Sequence, residues 1–479
     1  MTDFLLVLWV SALIEMRRFG WMFGLGKPWA AGDKLKLLSA GYNGTRNTGS
    51  DVRVQEMLRQ IRHLLGAENV DFSVMTQNFD RTMGYFEGAK QVHLPDVYPP
   101  FLFREVHANH GVISCEGSMF KSKFANALTT MMIGSLGLAS AENKLSVAYG
   151  GDAGHMDDLI RWMCARYTKD SLVITRSLES QQLLSGLGVP SELGADTAWT
   201  FEPHPQEYAR TALREAGWDE HTPILVLCPI HPFVWPVRAS IGKYIARTAT
   251  GAYQDSQYRT VYFFESGREV DRKFEHYVNG YIQAAKAFVQ KHRVFPILVA
   301  MERLDGVACR AIEKEMPGTP IFTSDDYDMF ELVSILRACT YMVSSRYHGI
   351  VTCMPAGVVS AGVTMDERIR NLMRERGHQH LILTVDDPEL GPKLLAVMER
   401  LVVEADAIRE SIGRTVVSNL KSMSRMGVFL EDELRKTYPQ FPLRKGVVGW
   451  EDNLPPLNDN LRQLVEEYDT AVSAVAAGR

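Results

Sequence analysis

Residues 341–349 read YMVSSRYHG. The apolar start, 341–344, has the character of a buried strand, and 347–356 has that of a helix following directly on it. A strand that runs into a helix through a serine, an arginine and a histidine sets those side chains at the carboxyl end of a sheet. Ligands of open α/β sheets bind at that end, where the next helix offers unpaired N–H groups and the positive end of its dipole. Arg346 adds a guanidinium able to grip a phosphate or carboxylate with two prongs, and His348 an imidazole that exchanges a proton near neutral pH. On physical grounds alone a plainer reading stands beside this one, with Ser345 as a helix cap, Arg346 as a solvated charge and His348 as a satisfied core histidine.

Outward from this stretch the same alternation recurs. Downstream, 358–362 reads as a strand and 366–376 as a helix. Upstream, 224–228, 295–300 and 321–323 read as strands, with 261–264 a further candidate, and 277–291, 305–315 and 327–338 as helices. Pro203 and Pro205 interrupt the periodicity. Before them lies another set: strands at 35–40, 71–76, 111–115, 145–149 and 172–175, and helices at 51–65, 122–138, 156–165 and 178–187, the last closed by Gly188. Strands alternating with helices predict parallel sheets, here in two doubly wound halves. The chain accordingly divides into an apolar N-terminal extension (1–33), a first Rossmann-like domain (34–203), a second carrying SRYHG (204–392), and a charged helical extension (393–479) whose last helix follows the linker 439–456.

A length of 479 residues suits two large domains. The balance of 52 basic and 57 acidic side chains, net charge -5, gives no global attraction to nucleic acid, so an anionic ligand has to be held by a few local arginines. The six cysteines, Cys115, Cys164, Cys228, Cys309, Cys339 and Cys353, form no C-x-x-C pair and no metal-ligand cluster. They read as reduced, buried residues of a cytoplasmic protein. Residues 4–14 are apolar except for Ser11, and are followed by Arg17, Arg18 and the aromatic-rich stretch 19–23. The run is shorter than the roughly 20 residues of a membrane span, and Asp3 without a preceding basic residue argues against a secretory signal. Two readings remain: residues 4–23 as an interfacial helix at the inner face of the cell membrane, or a helix docked on the protein or on a second subunit.

Residues 328–377, DMFELVSILRACTYMVSSRYHGIVTCMPAGVVSAGVTMDERIRNLMRERG, resemble the signature of the polysaccharide pyruvyl transferase family: an acidic helix start, a strand ending in S-x-R-hydrophobic-His, a helix, a Gly-Val turn with its strand, and a charged helix. Residues 41–56, GYNGTRNTGSDVRVQE, are similar to the family's first loop, 174–187, ITRSLESQQLLSGL, to its R-x-x-x-S segment, and 196–198 to its D-x-A element. The resemblance implies a GT-B-like fold, two Rossmann-like domains facing across a cleft. It also implies phosphoenolpyruvate as co-substrate, a sugar or glycan acceptor that is a candidate for lipid linkage, and neither a metal nor another cofactor. Arg346 and His348 fall on the family's Arg and His, Tyr347 on the hydrophobic position between them, and Arg176 on the arginine of the R-x-x-x-S segment. The implied donor set is therefore Ser345, Arg346, Tyr347, His348 and Arg176. The two arginines would reach the donor from opposite domains, with His348 as proton donor or phosphate-side acid.

Two loops depart from the family pattern. Asn47-Thr48-Gly49-Ser50-Asp51 replaces N-x-G-D, and either Ser50 or Asp51 is expected to cap the next helix. Cys115-Glu116-Gly117-Ser118 replaces a G-G-G element, making Glu116 either a loop charge or an acceptor-binding or base carboxylate. His231, Trp235 and Arg238 follow the first strand of the second domain in a loop stiffened by Pro229, Pro232 and Pro236. With Asp152 they complete the candidate acceptor contacts. Asp325, Asp326 and Asp328 read as a loop and cap. Readings from other classes are a GT-B glycosyltransferase using a nucleotide sugar and a non-catalytic glycan- or partner-binding member of an assembly complex; a homo-oligomer is compatible with all of them.

Overall fold

The computed structural model describes residues 2–250, 262–444, 446 and 449–477. The first half builds a parallel sheet from β1 (Leu35–Asn43), β2 (Val70–Thr76), β3 (Lys90–His93), β4 (Gly111–Ser114), β5 (Leu145–Gly151), β6 (Leu172–Thr175) and β7 (Glu192–Leu193), in the order β3-β2-β1-β4-β5-β6-β7. The second half contributes β8 (Ile224–Cys228), a small antiparallel ribbon of β9 (Arg238–Ala239) and β10 (Tyr262–Phe263), then β11 (Phe295–Ala300), β12 (Ile321–Thr323), β13 (Tyr341–Ser344), β14 (Val359–Thr364) and β15 (Ile382–Thr384). Its main sheet runs β12-β11-β8-β13-β14-β15, all parallel. Strands β4, β5, β8 and β14 are buried along their whole length, as expected of parallel strands covered by helices on both faces.

Both sheets follow the Rossmann strand order, which reverses between β1 and β4 in the first and between β8 and β13 in the second. The crevice for a ligand opens at the carboxyl ends of the strands at such a reversal. The loop 44–47, the Cys115–Ser118 turn, the proline-rich loop after β8 and the SRYHG segment are therefore the four chain segments that topology sends to the cleft.

Several elements escaped the sequence pattern. β3 carries one aliphatic residue in K-Q-V-H and is half exposed, so it offers no apolar run. The helices Pro99–Ala108, Gln206–Glu215 and Ile241–Thr250 and the strand β15 were likewise not predicted. The candidate strand at 261–264 is, at 262–263, part of the antiparallel ribbon outside the main sheet; Val261 lies outside the described residues. The helix expected at 347–356 is only Tyr347–Val351, followed by a 3-10 turn at Met354–Ala356 that contains Pro355 and ends at Gly357, φ 67°.

The N-terminal helix Thr2–Met22 is docked on the protein. Val7, Val10 and Ile14 pack against the helix Asn126–Ala141. Gly134 and Gly137 allow the approach, since a Cβ there would stand 2.6 Å from Val10 and 2.8 Å from Ile14. Its other face exposes Phe4, Leu5, Leu8, Trp9, Met16, Phe19, Met22 and Phe23. Among the described residues no helix is long and apolar enough to cross a membrane.

The C-terminal helices belong to the body of the molecule. Leu390–Val403 packs on Arg268–Lys291 of the second half. The 33-residue helix Ala405–Thr437, about 50 Å long, then returns to the first half. There Met426 fills the space left by Gly150 and Gly194, and its sulfur accepts a hydrogen bond from Ala195 N (3.3 Å). Gln60 Nε2 donates to Met423 O (2.9 Å). Met426→Ala empties this space and is expected to cost about 2–5 kcal/mol, measured by urea unfolding.

Candidate active site in the interdomain cleft

Two close contacts bring the halves together at the mouth of β1. Thr48 N donates to Met301 O (3.0 Å), and Asn47 Nδ2 to Glu302 (3.4 Å). Asn47 is the cap of the helix Thr48–Leu65, its side chain accepting from Ser50 N. Ser50 and Asp51 were expected to cap. The helix instead starts at Thr48, which places both inside the first turn: the Ser50 hydroxyl donates to Glu116 (3.3 Å), and Asp51 is buried with neither carboxylate oxygen hydrogen-bonded in the protein. Burial pushes the Asp51 carboxyl up to about 8. Gly49 faces His348 across the gap. A Cβ at this position would meet the imidazole at 2.3–2.7 Å, so the ring rests on bare backbone.

Asp196 is the hub of the site. One of its oxygens receives Arg176 Nη1 (2.5 Å), His348 Nε2 (3.2 Å) and the Nε end of Arg53 (3.1 Å), while the other caps the turn at Ala198 N (3.0 Å). Burial opposes the Asp196 charge, yet Arg53, His348 and Arg176 outweigh it and hold the carboxyl well below the usual range. Burial moves His348 the opposite way. Asp196 restores part of the loss, and the imidazole titrates at about 4, so it is neutral at pH 7. Its side chain is 13% exposed and borders a cavity, which leaves it accessible.

The two arginines expected to converge on one anion are each gripped by carboxylates and line different cavities. Asp152 receives both Nε and Nη2 of Arg176 (2.9 and 2.5 Å), and the guanidinium lies over the ring of Tyr347 at 4.1 Å. Arg346 instead donates two hydrogen bonds to Asp305 (2.7 and 2.6 Å) and one to Glu302 (2.5 Å). Nη1 of Arg346 is outside this clamp, and the side chain is 20% exposed. Burial pushes Asp305 up to about 6, even against the pull of Arg346.

Three cavities border these groups. A polar one of about 50 Å³ is lined by Arg53, Glu116, Arg346, His348 and Arg368, room for a few waters or one small anion. A larger one of about 200 Å³ shares Asn47, Ser50, Glu116, Arg346 and Arg368 with it and is otherwise mainly apolar. Arg176 lines a third, of about 410 Å³, bordered also by Asp152, Tyr347, Arg374 and Arg425. The bare Cα of Gly117 lies between the first and Arg176: a Cβ there would be 3.4 Å from Arg53 Nη1 and 3.5 Å from Arg176 Nη1.

Other expectations are corrected by the geometry. Ser345 lines the small cavity with Arg346 and His348, but its hydroxyl is already bonded to Tyr277 and Tyr281 (2.8 and 2.9 Å). The helix N-terminus after β13 is a poor anion cradle, because the helix has five residues and Arg346 N already donates to Ser344 Oγ (3.0 Å). Asp152, taken as an acceptor contact, is buried and used by Arg176, Ser177 and Ser180. His231 stacks on Phe274 at 4.0 Å, and Arg238 is an exposed partner of Glu265 (2.8 Å). Neither lines a cleft cavity. Trp235 and Glu116 do, and Asp328 caps its helix with a capping box. The sequence reading gave no role to Arg53, Asp196, Glu302, Asp305 or Arg368. Asp196 was visible only as the first residue of D-x-A; Arg53 carried a weak signal as a charge on the apolar face of its helix.

Gly49→Ala should push the imidazole off its seat and cost about 1–3 kcal/mol, read by urea unfolding. Nitrogen NMR of labelled histidine should place the His348 transition at about 4, and Asp196→Asn should move it lower still, since the carboxylate is what raises it. Because the folded pKa lies below the ordinary 6.5, this group stabilises the fold fully above pH 6.5, and that contribution is lost as pH falls towards 4.

No curated protein matches this sequence. Solved structures similar to it include a UDP-GlcNAc 2-epimerase from Neisseria meningitidis bound to UDP-GlcNAc (9% identity, covering 84% of this chain and 100% of that one, TM-score 0.47). They also include a UDP-N-acetylglucosamine 2-epimerase from Listeria monocytogenes, so described with reserve (11%, 80% and 95%, 0.46), and a ugt transferase from Siraitia grosvenorii in complex with UDP (9%, 84% and 100%, 0.46). The segment that supplies Arg176, Asp196, Arg346 and His348, residues 155–367, matches the model of the polysaccharide pyruvyl transferase family, which is a family of transferases.

Proposed function

We propose that this protein moves the pyruvyl group of phosphoenolpyruvate onto two hydroxyls of a sugar in a polysaccharide or glycolipid precursor, forming a cyclic ketal and releasing phosphate. The observation that carries this reading is the His348 imidazole, seated between Asp196 and Gly49, on the wall of the same small cavity as Arg53, Arg346 and Arg368. A small dianion with a carboxylate needs several guanidinium donors; Arg53 pairs with Asp196, Arg346 with Asp305 and Glu302, and Arg368 with Asp366 (2.8 Å), and the two-pronged clamp of Asp305 on Arg346 aims the remaining Nη1 edge.

The two sugar hydroxyls each lose a proton. One proton ends on the methylene carbon, which becomes the methyl of the ketal, and the other leaves with phosphate as the C–O bond to phosphorus-bearing oxygen breaks. His348, neutral at rest, is assigned as the base that takes a proton from an attacking hydroxyl and passes it on; Asp196 stabilises the imidazolium so formed. Arg53 and Arg346 stabilise charge on the donor. Arg176 is assigned to hold Tyr347 and Asp196 in place, and Glu116 to accept a hydrogen bond from the sugar. The scheme asks for no cofactor beyond phosphoenolpyruvate.

Purified protein with phosphoenolpyruvate and a panel of glycans should release phosphate in an acceptor-dependent way. His348→Ala should lower kcat by about 10²–10⁴, and Arg346→Ala should raise the KM for phosphoenolpyruvate. Effects within threefold for both would remove these roles, and turnover that requires a nucleotide sugar would replace the reaction.

The exposed stripe from Phe4 to Phe23 supports a peripheral seat at the cytoplasmic face of the membrane. Beside it Arg18, Trp162, Arg166, Lys169 and Asp170 line one shallow depression, with Arg18 and Arg166 paired to Glu15 (2.9 and 3.0 Å), an aromatic and mainly basic set that suits lipid headgroups. Arg17, expected among the headgroup contacts, is turned inward to Glu142 (3.0 Å) and Phe103. The protein should sediment with vesicles containing phosphatidylglycerol, and Trp9→Glu with Phe19→Glu should abolish this. A concentration-dependent dimer lost in the same variant, without vesicle binding, would assign the stripe to a second copy.

A further inference from the structure

We propose that the cavity of about 200 Å³ beside the arginine-lined one is a subsite for an apolar group carried by the acceptor sugar. This rests on the transferase reading above and names the acceptor's chemistry. The cavity is larger than the 150 Å³ engineered void that binds benzene in another protein, so it accommodates a ring or a short run of methylenes. Leu94, Tyr98, Leu128 and Met131 of the first domain face Trp235 and Phe264 of the second across it. The polar side chains of the wall, among them Asn47, Gln77, Asp96 and Glu116, can meet sugar hydroxyls, but a bare sugar would leave the Leu94, Leu128, Met131 and Phe264 side facing hydroxyls without partners, which is unfavourable.

Two features tie this cavity to the reaction site and not to a surface dimple. Asn47, Ser50, Glu116, Arg346 and Arg368 border both cavities, so a molecule can span them with its polar part among the arginines. The aromatic wall is also assembled from both domains. Trp235 meets Phe124 and Phe264 edge-on at 5.2 and 5.1 Å, and Val237 N donates to Phe124 O (2.9 Å). The subsite is therefore complete only when the domains are closed on each other. Leu128 and Met131 lie on the helix Asn126–Ala141, whose Gly134 and Gly137 seat the N-terminal helix with its exposed apolar stripe.

The apolar group has two sources, a hydrocarbon chain or a ring aglycone, and one experiment distinguishes them. Calorimetric titration of the full chain with matched methyl, phenyl and octyl glycosides should show phenyl or octyl binding at least tenfold tighter than methyl, since each buried methylene contributes about fourfold. A lead for octyl assigns a chain, and a lead for phenyl a ring. Leu128→Trp, or Ala125→Phe at the rim should the first fail to fold, should shrink the preference to under threefold. Equal affinity for the three glycosides, no binding of any, or a preference that survives both fillings overturns the subsite. Phosphate release from phosphoenolpyruvate, followed in parallel, keeps the two readings separate. Aglycone preference without turnover sinks pyruvyl transfer alone, and turnover indifferent to the aglycone sinks the subsite alone.

Discussion

One carboxylate organises the site. Asp196 is fully buried and accepts contacts from two arginines and a histidine that arrive on three different elements: the helix Thr48–Leu65, the end of β6 and the segment after β13. A buried charge is tolerated only with its partners in place, and removing one member of such a set costs about 3–5 kcal/mol. The ends of these elements therefore cannot drift independently. The first domain supplies Asp196, Arg53 and Arg176, the second supplies His348, and the cluster joins the two halves across the cleft.

The network is also selective about which charges remain available. Arg176 has its guanidinium divided between Asp152 and Asp196 and covered by Tyr347, which makes it a fixed part of the scaffold. Arg346 is clamped on one side only. Paired carboxylates orient it and leave an edge over the cavity that it shares with Arg53 and Arg368. Desolvation lowers His348 while Asp196 raises it, and the outcome is a neutral ring at pH 7. A neutral ring is suited to accept a proton, one of the two directions of transfer that the sequence left open for this imidazole.

The central strands were legible because they are continuous apolar runs. The predicted 172–175, 224–228, 295–300 and 341–344 coincide with β6, β8, β11 and β13, all inside their sheets, and 321–323 with β12, an edge strand that keeps the apolar pair Ile321 and Phe322. β3 and β15 were not, since an edge strand half in water has no reason to be apolar. The SRYHG segment could be recognised by residue type. Its hydrogen bonds could not: whether the Ser345 hydroxyl is left to a ligand or bonded to Tyr277 depends on how one strand end is turned against a helix some sixty residues away in the chain.

By itself, the sequence determined the class of fold and the short segments that come to the cleft, because alternating periodicities dictate parallel sheets and Rossmann order sends the loops after β1, β4, β8 and β13 to one side. Tertiary structure alone decided which charge meets which. An arginine is equally able to grip a ligand or a neighbouring carboxylate, and that choice depends on distances between segments far apart in the chain. It is why Arg176 and His348 meet on Asp196 while Arg346 turns to Asp305 and Glu302.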